Sequence, residues 1–438
     1  MIHLANILIA TEDAVLGQEI LAKVRQHGYD GRVVASQQAA LGTAQQEHPD
    51  ILLVGSTLSE GDPLSLAHAL RDTPNCADIP VALIATDSSV ELKRIAMEAG
   101  FDDVLTTPLD DTKLVARLRP LVRLSTMHGE LHQRARSAAR FGVVVEEDLP
   151  RPTVDADYPL LLVGEAAEEL RAPLVKACIV TANDPFVADD MLSSTNFDAA
   201  VVVPDDNTGP YLDLCAQTRN NPRLFNLPVL VVSKPGLISE TEAYRHGASG
   251  WFERPVDPVA LRTTVLGLVR RQRLRWSIRE ALGRTLGDTT RDPGTNLYNR
   301  RFLDAYLADR VTYAQDHGRH LSIMFFRVPD VEGIRQRFGE EQATHLRLQL
   351  GQWITGLLRG EDLTARYDEN EFCVVLPDTP KEEAQIVMHR IAGVLAYTDF
   401  AVVDVYQPVK VWVRVGGADL TPDDSVDSLV ERARRDVL

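Results

Sequence analysis

The segment Leu105-Thr106-Thr107-Pro108-Leu109-Asp110 leads into a helical pattern that ends at Leu121-Val122-Arg123, and this arrangement occurs twice in the chain. Its second copy is Phe252-Glu253-Arg254-Pro255-Val256-Asp257, followed by a helical pattern that ends at Leu268-Val269-Arg270. The two prolines are 147 residues apart (255 minus 108), and the two closing arginines are separated by the same interval (270 minus 123). Self-similarity at a fixed interval predicts a duplicated domain.

Short apolar runs precede each copy, with helical spacing between them, for example in 65–70 and 90–99. The runs are Ile7–Ala10, Ile51–Val54 and Val81–Ile84 in the first half and Leu160–Val163, Ala199–Val203 and Val229–Val232 in the second. Fully apolar strands that alternate with helices are typical of a parallel sheet covered by helices on both faces. The sequence therefore predicts two doubly wound α/β domains.

Composition limits the class of protein. A chain of 438 residues is too long for one ordinary domain, and its net charge of -17 argues against an electrostatic surface for nucleic acid. The four cysteines lack Cys-x-x-Cys spacing, which argues against a zinc module and favours reduced thiols in the cytosol. The start shows no signal peptide, and no apolar run approaches the ~20 residues that span a bilayer. We expect a cytoplasmic protein without membrane insertion.

The last third of the chain predicts a different, mixed α/β domain. Its candidate strands are Leu321–Phe326, Ala365–Leu376 and Val411–Val415, with a hairpin around Tyr367–Glu371. We place the three domains at 1–125, 158–273 and 291–438, with a helical extension and linker at 126–157 and a linker helix at 274–290.

The two repeated halves resemble the CheY-like receiver domains of two-component response regulators, in strand order and in the proline after the last strand. The resemblance implies a need for acids that hold Mg²⁺, an Asp that accepts the phosphoryl group, and a Lys before the proline. This chain has Gly55 and Val203 at the phosphoacceptor positions and Thr107 and Arg254 at the lysine positions. Since neither Gly nor Val can form an acyl phosphate, we expect degenerate receivers that dimerise or dock.

Three acids near the phosphoacceptor positions leave an alternative open. Asp62, Asp205 and Asp206 fall in the loops that follow the third strands, where a solvated loop acid is the favoured interpretation. A different strand register would turn one of them into a phosphoacceptor.

From Arg291 onward the chain resembles the GGDEF family of diguanylate cyclases, which implies a nucleotide-cyclase-like fold. Asp292–Leu297 and Asn299–Leu303 match the opening motif of that family, and Arg366–Pro377 matches the hairpin that names it. Two receivers followed by a GGDEF domain is the domain order of PleD-type response regulators.

The same resemblance implies that the cyclase active site is lost. In the family, two hairpin glycines approach the nucleotide, a hairpin acid and a strand Asp hold Mg²⁺, and an Asn on a helix reads guanine. The residues at those positions are Asp368 and Glu369, Asn370 and Arg327, and Arg335, while Glu371 and Phe372 are retained. We expect no catalytic residue, no metal and no cofactor. We also expect Arg327 to pair with Asp368, Glu369 or Glu371, and the closing phosphate-binding cations of the family to have no counterpart around Ala433.

A ligand-binding motif remains in Arg359-Gly360-Glu361-Asp362. In the family, an Arg-x-x-Asp five residues before the hairpin binds cyclic di-GMP, and Leu363–Tyr367 supply that separation here. An Arg fork can bond phosphate and the guanine edge, while a carboxylate accepts guanine N–H groups. The resemblance makes Arg390 a second arginine of the site, and Arg171 and Arg310 are further candidates.

A surface ion pair is the alternative interpretation of this motif. Arg and Asp three residues apart commonly form a surface pair worth a few tenths of a kcal/mol. The chain also contains Arg301–Asp304 and Arg327–Asp330 with the same spacing. Register with the hairpin and with Arg390 favours ligand binding at Arg359 and Asp362.

These inferences predict a non-catalytic cyclic di-GMP receptor that controls docking to protein partners and is a homodimer through its receivers. The resemblance further implies placement at a cell pole and recruitment of an adaptor for regulated proteolysis in the cell cycle. A residual diguanylate cyclase and a ligand-independent dimeric scaffold are the alternatives.

Overall fold

The computed structural model describes residues 4–87, 89–154, 156–435 and 437, so the ends of the predicted ranges 1–125 and 291–438 lie outside the described residues. The chain divides into two compact units. The first unit comprises Ala5–Ser125 and Asp148–Ser277, and the second comprises the remaining described residues.

The first half of the first unit alternates strands and helices. The strands are β1 (Asn6–Ala10), β2 (Asp30–Val34), β3 (Ile51–Gly55), β4 (Val81–Ala85) and β5 (Asp103–Thr106). The helices are α1 (Ala14–Gln26), α2 (Gln37–Glu47), α3 (Pro63–Asp72), α4 (Val90–Glu98) and α5 (Asp111–Ala139). The strands form a parallel sheet in the order β2-β1-β3-β4-β5. The predicted doubly wound domain is confirmed, and β3 and β4 are buried along their whole length.

The second half repeats this architecture. Its strands are β6 (Tyr158–Val163), β7 (Ala177–Ala182), β8 (Ala199–Val202), β9 (Val229–Ser233) and β10 (Gly250–Glu253). Its helices are α6 (Pro185–Ser194), α7 (Gly209–Asn220), α8 (Glu240–Arg245) and α9 (Pro258–Arg284). The parallel order β7-β6-β8-β9-β10 matches the first half strand by strand. The duplication is therefore confirmed, although two short 3-10 turns, Glu165–Leu170 and Ala172–Leu174, replace the first helix.

The second unit contains a four-stranded antiparallel sheet. Its strands are β11 (Leu321–Arg327), β12 (Leu363–Asp368), β13 (Glu371–Pro377) and β14 (Arg414–Asp419), in the order β12-β13-β11-β14. Its helices are α10 (Arg300–Asp316), α11 (Asp330–Phe338), α12 (Glu340–Gly356), α13 (Lys381–Tyr397) and α14 (Val426–Arg434). The hairpin prediction holds, but the strand predicted at Val411–Val415 is misplaced, since β14 begins at Arg414 and shares only Arg414 and Val415 with the predicted range. Val411 is buried in an irregular segment, and an apolar pattern cannot distinguish that from a strand.

Alternate side chains of β11 enter two separate cores. Met324 and Phe326 belong to one core, and Ile323 and Phe325 belong to the other. Ala138, near the end of α5, is part of the second core, and Phe141 and Val143 pack against it. The segment that follows the first receiver therefore contributes to the fold of the second unit. Among the described helices, none has the length and apolar character required to cross a membrane.

Gly416 in β14 provides a test of this packing. A Cβ at Gly416 would lie 2.3 Å from the Ala433 carbonyl oxygen in α14. We expect Gly416→Ala to lower the free energy of unfolding of the second unit by about 1–3 kcal/mol, because the backbone must shift. The control is Gly393→Ala within α13, where a Cβ meets nothing within 4 Å. That variant should gain up to about 1 kcal/mol from helix propensity. Calorimetric unfolding of the full chain measures both, and equal stability of the two variants would contradict the assignment.

Candidate functional site

Both phosphoacceptor positions predicted for the receivers are closely packed. Gly55 ends β3, and a Cβ there would lie 2.5 Å from Thr11 Oγ1. Val203 directly follows β8, is 3% exposed, and its carbonyl oxygen closely approaches Gly164. Arg254, at the lysine position of the second half, donates to the Ala166 carbonyl at 2.9 Å. These residues complete the local packing of the two sheets.

The three alternative acids have local partners of their own. Asp62 caps α3 by accepting from the Ser65 N–H at 2.8 Å, and Asp206 lies 2.7 Å from Lys234 Nζ. Asp205 accepts from the Tyr211 hydroxyl at 3.2 Å, and burial together with Asp205 raises the pKa of Tyr211 to about 12. These contacts support the interpretation of all three acids as structural loop residues.

The end of the sheet in the second unit carries a row of four charged residues. Cross-strand pairing aligns Asp368, Glu371, Arg327 and Arg414 across β12, β13, β11 and β14. Residues directly opposite one another in an antiparallel pair point to the same face. Two acids and two cations are therefore brought together at the hairpin end of the sheet.

The prediction that Arg327 pairs with an acid of the hairpin is wrong. Glu371 is 2% exposed, and its two carboxylate oxygens accept from Arg434 Nε and Nη2, both at 2.8 Å. No ion pair joins Arg327 to Asp368, Glu369 or Glu371 among the residues that the structure describes. The hydrogen bonds to Glu371 raise the pKa of Arg434, which also lies 4.7 Å from the Tyr367 ring centroid.

Arg434 is the residue that the sequence interpretation missed. We expected no cation of the last helix to serve the site, yet Arg434 contacts its retained acid. The available signal was the buried face of α14, where Leu429 and Ala433 are fully enclosed and Arg434 follows directly.

The other replaced positions lie around the hairpin turn. Asp368 and Glu369 are exposed, Asn370 is half-buried, and the Asn370 carbonyl accepts from the Val328 N–H at 2.9 Å. Arg335 of α11 bonds Glu332 at 2.8 Å and approaches Glu369 to 4.0 Å. Within the described part of the chain, no cluster of three His, Cys, Asp or Glu side chains could hold a metal ion.

The loop Arg359–Asp362, hereafter the RGED loop, connects α12 to β12 as a closed turn. The Arg359 N–H donates to Asp362 Oδ2 at 2.8 Å, and the Asp362 N–H donates to the Arg359 carbonyl at 3.2 Å. The Arg359 side chain is 35% exposed and lies 3.8 Å from Glu383. The Asp362 carboxylate therefore holds the backbone of the turn while the Arg359 guanidinium reaches solvent.

Arg390 of α13 joins this loop. Its Nη2 donates to the Leu357 carbonyl at the end of α12, at 3.0 Å. Burial and the neighbouring Arg359 lower the pKa of Arg390, and Asp362 opposes this shift. The structure thus brings together Arg359, Asp362 and Arg390, and two adjacent guanidinium groups favour an anionic ligand. The further candidates Arg310 and Arg171 are not part of this group. Arg310 is 2% exposed, and Arg171 pairs with Glu168 in the first unit.

Comparisons with known proteins agree with this architecture. The family described as "Diguanylate cyclase, GGDEF domain" matches residues 289–437, and "Response regulator receiver domain" matches residues 7–119. The response regulator PleD of Caulobacter vibrioides is 26% identical over 436 residues, which cover 98% of this chain and 95% of that protein. The chain is a PleD-like response regulator with receiver and GGDEF domains. Closeness of this PleD-like regulator to the degenerate paralogue PopA stays a prediction.

Two solved structures are also similar to parts of the PleD-like regulator. The GGDEF domain of DgcB from Caulobacter crescentus, in complex with c-di-GMP, is 21% identical and covers 34% of this chain and 85% of that chain, with a TM-score of 0.33. A response regulator from Chloroflexus aurantiacus is 25% identical and covers 27% of this chain and 98% of that chain, with a TM-score of 0.27.

A double-mutant cycle tests the ion pair at the hairpin of the PleD-like regulator. We expect Arg434→Met to lower the free energy of unfolding by about 2–3 kcal/mol, because the buried Glu371 loses its hydrogen-bond partner. Glu371→Gln combined with Arg434→Met should cost at least ~1 kcal/mol less than the sum of the single changes. Denaturant unfolding measures all three variants. The exposed neighbour Arg435→Met is the control, and strict additivity at Glu371 and Arg434 would refute the pairing.

Proposed function

We propose that this PleD-like regulator is a non-catalytic cyclic di-GMP receptor. A cyclic di-GMP-related signalling role follows from its GGDEF domain and its likeness to PleD. One observation carries the finer proposal: Arg359, Asp362 and Arg390 lie together, while the retained acid of the hairpin is occupied by Arg434.

The chemistry of the RGED loop suits the ligand. Cyclic di-GMP presents two phosphates and two guanine edges, and an arginine fork bonds either group in a bidentate manner. Arg359 is accessible, and its neighbour Arg390 adds a second positive charge. An anionic ligand relieves the repulsion between these two guanidinium groups, and the Asp362 carboxylate can accept guanine N–H groups.

The former active site supports the absence of catalysis. Asp368 and Glu369 place two carboxylates at the turn where a triphosphate would lie. Both oxygens of Glu371 accept hydrogen bonds from Arg434 and are poorly available to a metal ion. Arg327 provides a fixed cation where the family holds a dication. In this proposal, the site therefore holds neither the metal ion nor the triphosphate that activation of GTP requires.

Without catalysis, the ligand acts by changing contacts. A ligand shifts docking only by the difference between its affinities for the two arrangements. We propose that cyclic di-GMP controls docking to protein partners of a homodimer assembled through the receivers. In this proposal the protein is cytoplasmic, gathers at a cell pole and recruits a proteolysis adaptor.

Titration of cyclic di-GMP tests the receptor directly. We expect the unchanged chain to bind and Arg359→Ala to bind at least about thirty-fold more weakly, since loss of one partner in a desolvated charged contact costs roughly 2–5 kcal/mol. Isothermal titration calorimetry provides the affinities. The matched control is Arg301→Ala, an exposed arginine that begins another Arg-x-x-Asp sequence. Absence of binding by the unchanged chain would leave the ligand-independent scaffold.

Incubation with GTP tests the enzymatic alternative. We expect no cyclic di-GMP to form with Mg²⁺ or Mn²⁺, because Arg434 bonds both oxygens of Glu371 and the hairpin turn carries two added negative charges. Chromatography of the nucleotides measures turnover, with an active diguanylate cyclase as the positive control. Product formation that disappears in Glu371→Gln would revive the residual cyclase.

A further inference from the structure

The RGED loop is supported by a segment that lies outside both matched domain ranges. Residues 126–139 of α5 follow the receiver match at 7–119 and precede the GGDEF match at 289–437. From this segment, Arg134 Nη2 donates to the carbonyl oxygen of Glu361, the third residue of the RGED loop. Both residues are 3% exposed.

A buried ionic network holds Arg134 in this position. Arg134 Nε donates to Glu130 Oε1 at 2.6 Å, and the Tyr306 hydroxyl donates to the same oxygen at 2.7 Å. Glu130 is fully buried and lies 3.7 Å from Arg310. Since Glu130 neutralises Arg134, the guanidinium acts on the loop through a directed hydrogen bond and contributes little net charge.

The other side of the loop lies against Arg279 of α9. A Cβ at Gly360 would lie 3.5 Å from Arg279 Cγ of α9, which is ordinary van der Waals contact. The backbone of the loop is thus seated on α5 and α9 within the second unit, while Arg359 reaches solvent. A displacement of Glu361 would move Arg359 and Asp362 together, because the Arg359 N–H and the Asp362 carboxylate are hydrogen-bonded.

We propose that Arg134 is a positioning residue for the cyclic di-GMP site, and that it couples the continuation of α5 to ligand binding at the RGED loop. The proposal rests on the proposed receptor function. By linkage, a ligand that requires the ordered loop also stabilises the contact between Glu361 and Arg134. Helix α5 begins in the first receiver and continues to Arg134, which reaches the loop through its hydrogen bond to the Glu361 carbonyl.

The test compares two equally buried arginines of the same network in the full chain. Arg319 is 6% exposed and pairs with Asp378 at 2.9 Å, as Arg134 pairs with Glu130. Both acids keep Arg310 nearby when their partner is removed, at 3.7 Å for Glu130 and 3.5 Å for Asp378. Arg134→Met and Arg319→Met should therefore lower the melting temperature to similar extents, and only the former removes the donor to Glu361.

Two measurements distinguish positioning from stability. In the ligand-free protein, we expect amide hydrogen exchange at 359–362 to accelerate in Arg134→Met and to stay unchanged in Arg319→Met. In calorimetric titration, Arg134→Met should weaken cyclic di-GMP binding by about fivefold or more, and Arg134→Lys should recover part of the affinity.

Each outcome decides the proposal. Faster exchange and weaker binding in Arg134→Met alone would support it. Equal exchange and equal affinity in Arg134→Met and Arg319→Met would overturn it while leaving the receptor intact. No binding by the unchanged chain would overturn the receptor function together with this coupling.

Discussion

The pairing of β11 in the centre of its sheet is the constraint on which the second unit depends. β11 pairs with β13 from Leu321↔Pro377 to Arg327↔Glu371, and with β14 on its other edge. Because side chains alternate along a strand, Ile323 and Phe325 fill one core while Met324 and Phe326 fill the other. A shift of one residue would exchange the two sets between the cores, so that neither core would keep the side chains that fill it, and the register is therefore specified.

The same register determines which charged residues meet at the hairpin end of the sheet. It aligns Glu371 beside Arg327 at the end of the sheet, but α14 supplies the cation that bonds the acid. Arg434 presents two parallel N–H donors to a carboxylate, which is the strong bidentate geometry of arginine. Both oxygens of Glu371 are therefore engaged by one side chain, and this engagement supports the proposed loss of metal binding at the hairpin.

The two long helices α5 and α9 each contribute residues to both units. α5 and α9 begin in the receivers and continue into the second unit, where Ala138 completes a hydrophobic core and Arg134 bonds the RGED loop. A segment that neither domain family matches thus contributes to a core of the second unit and holds the backbone of the RGED loop. If the proposed receptor function holds, sequence variation at 126–139 alters ligand binding without changing the Arg-x-x-Asp motif.

The sequence by itself determined the duplicated α/β halves, the order of their apolar strands, the hairpin at Tyr367–Glu371 and the proximity of Arg390 to Arg359 and Asp362. The strands, the duplication and the hairpin depend on local periodicity and on fixed spacing along the chain, whereas the place of Arg390 was implied by the resemblance to the GGDEF family. Only the tertiary structure decided that Arg434, and not Arg327, pairs with Glu371, and that Arg134 supports Glu361 from 227 residues away. Sequence periodicity does not predict which distant charged side chains form an ion pair. Arg434 pairs with Glu371 because the folded domain brings the end of α14 to this residue of β13. The misplaced strand at Val411–Val415 has the same cause, since burial is a property of the folded core and not of the backbone conformation that enters it.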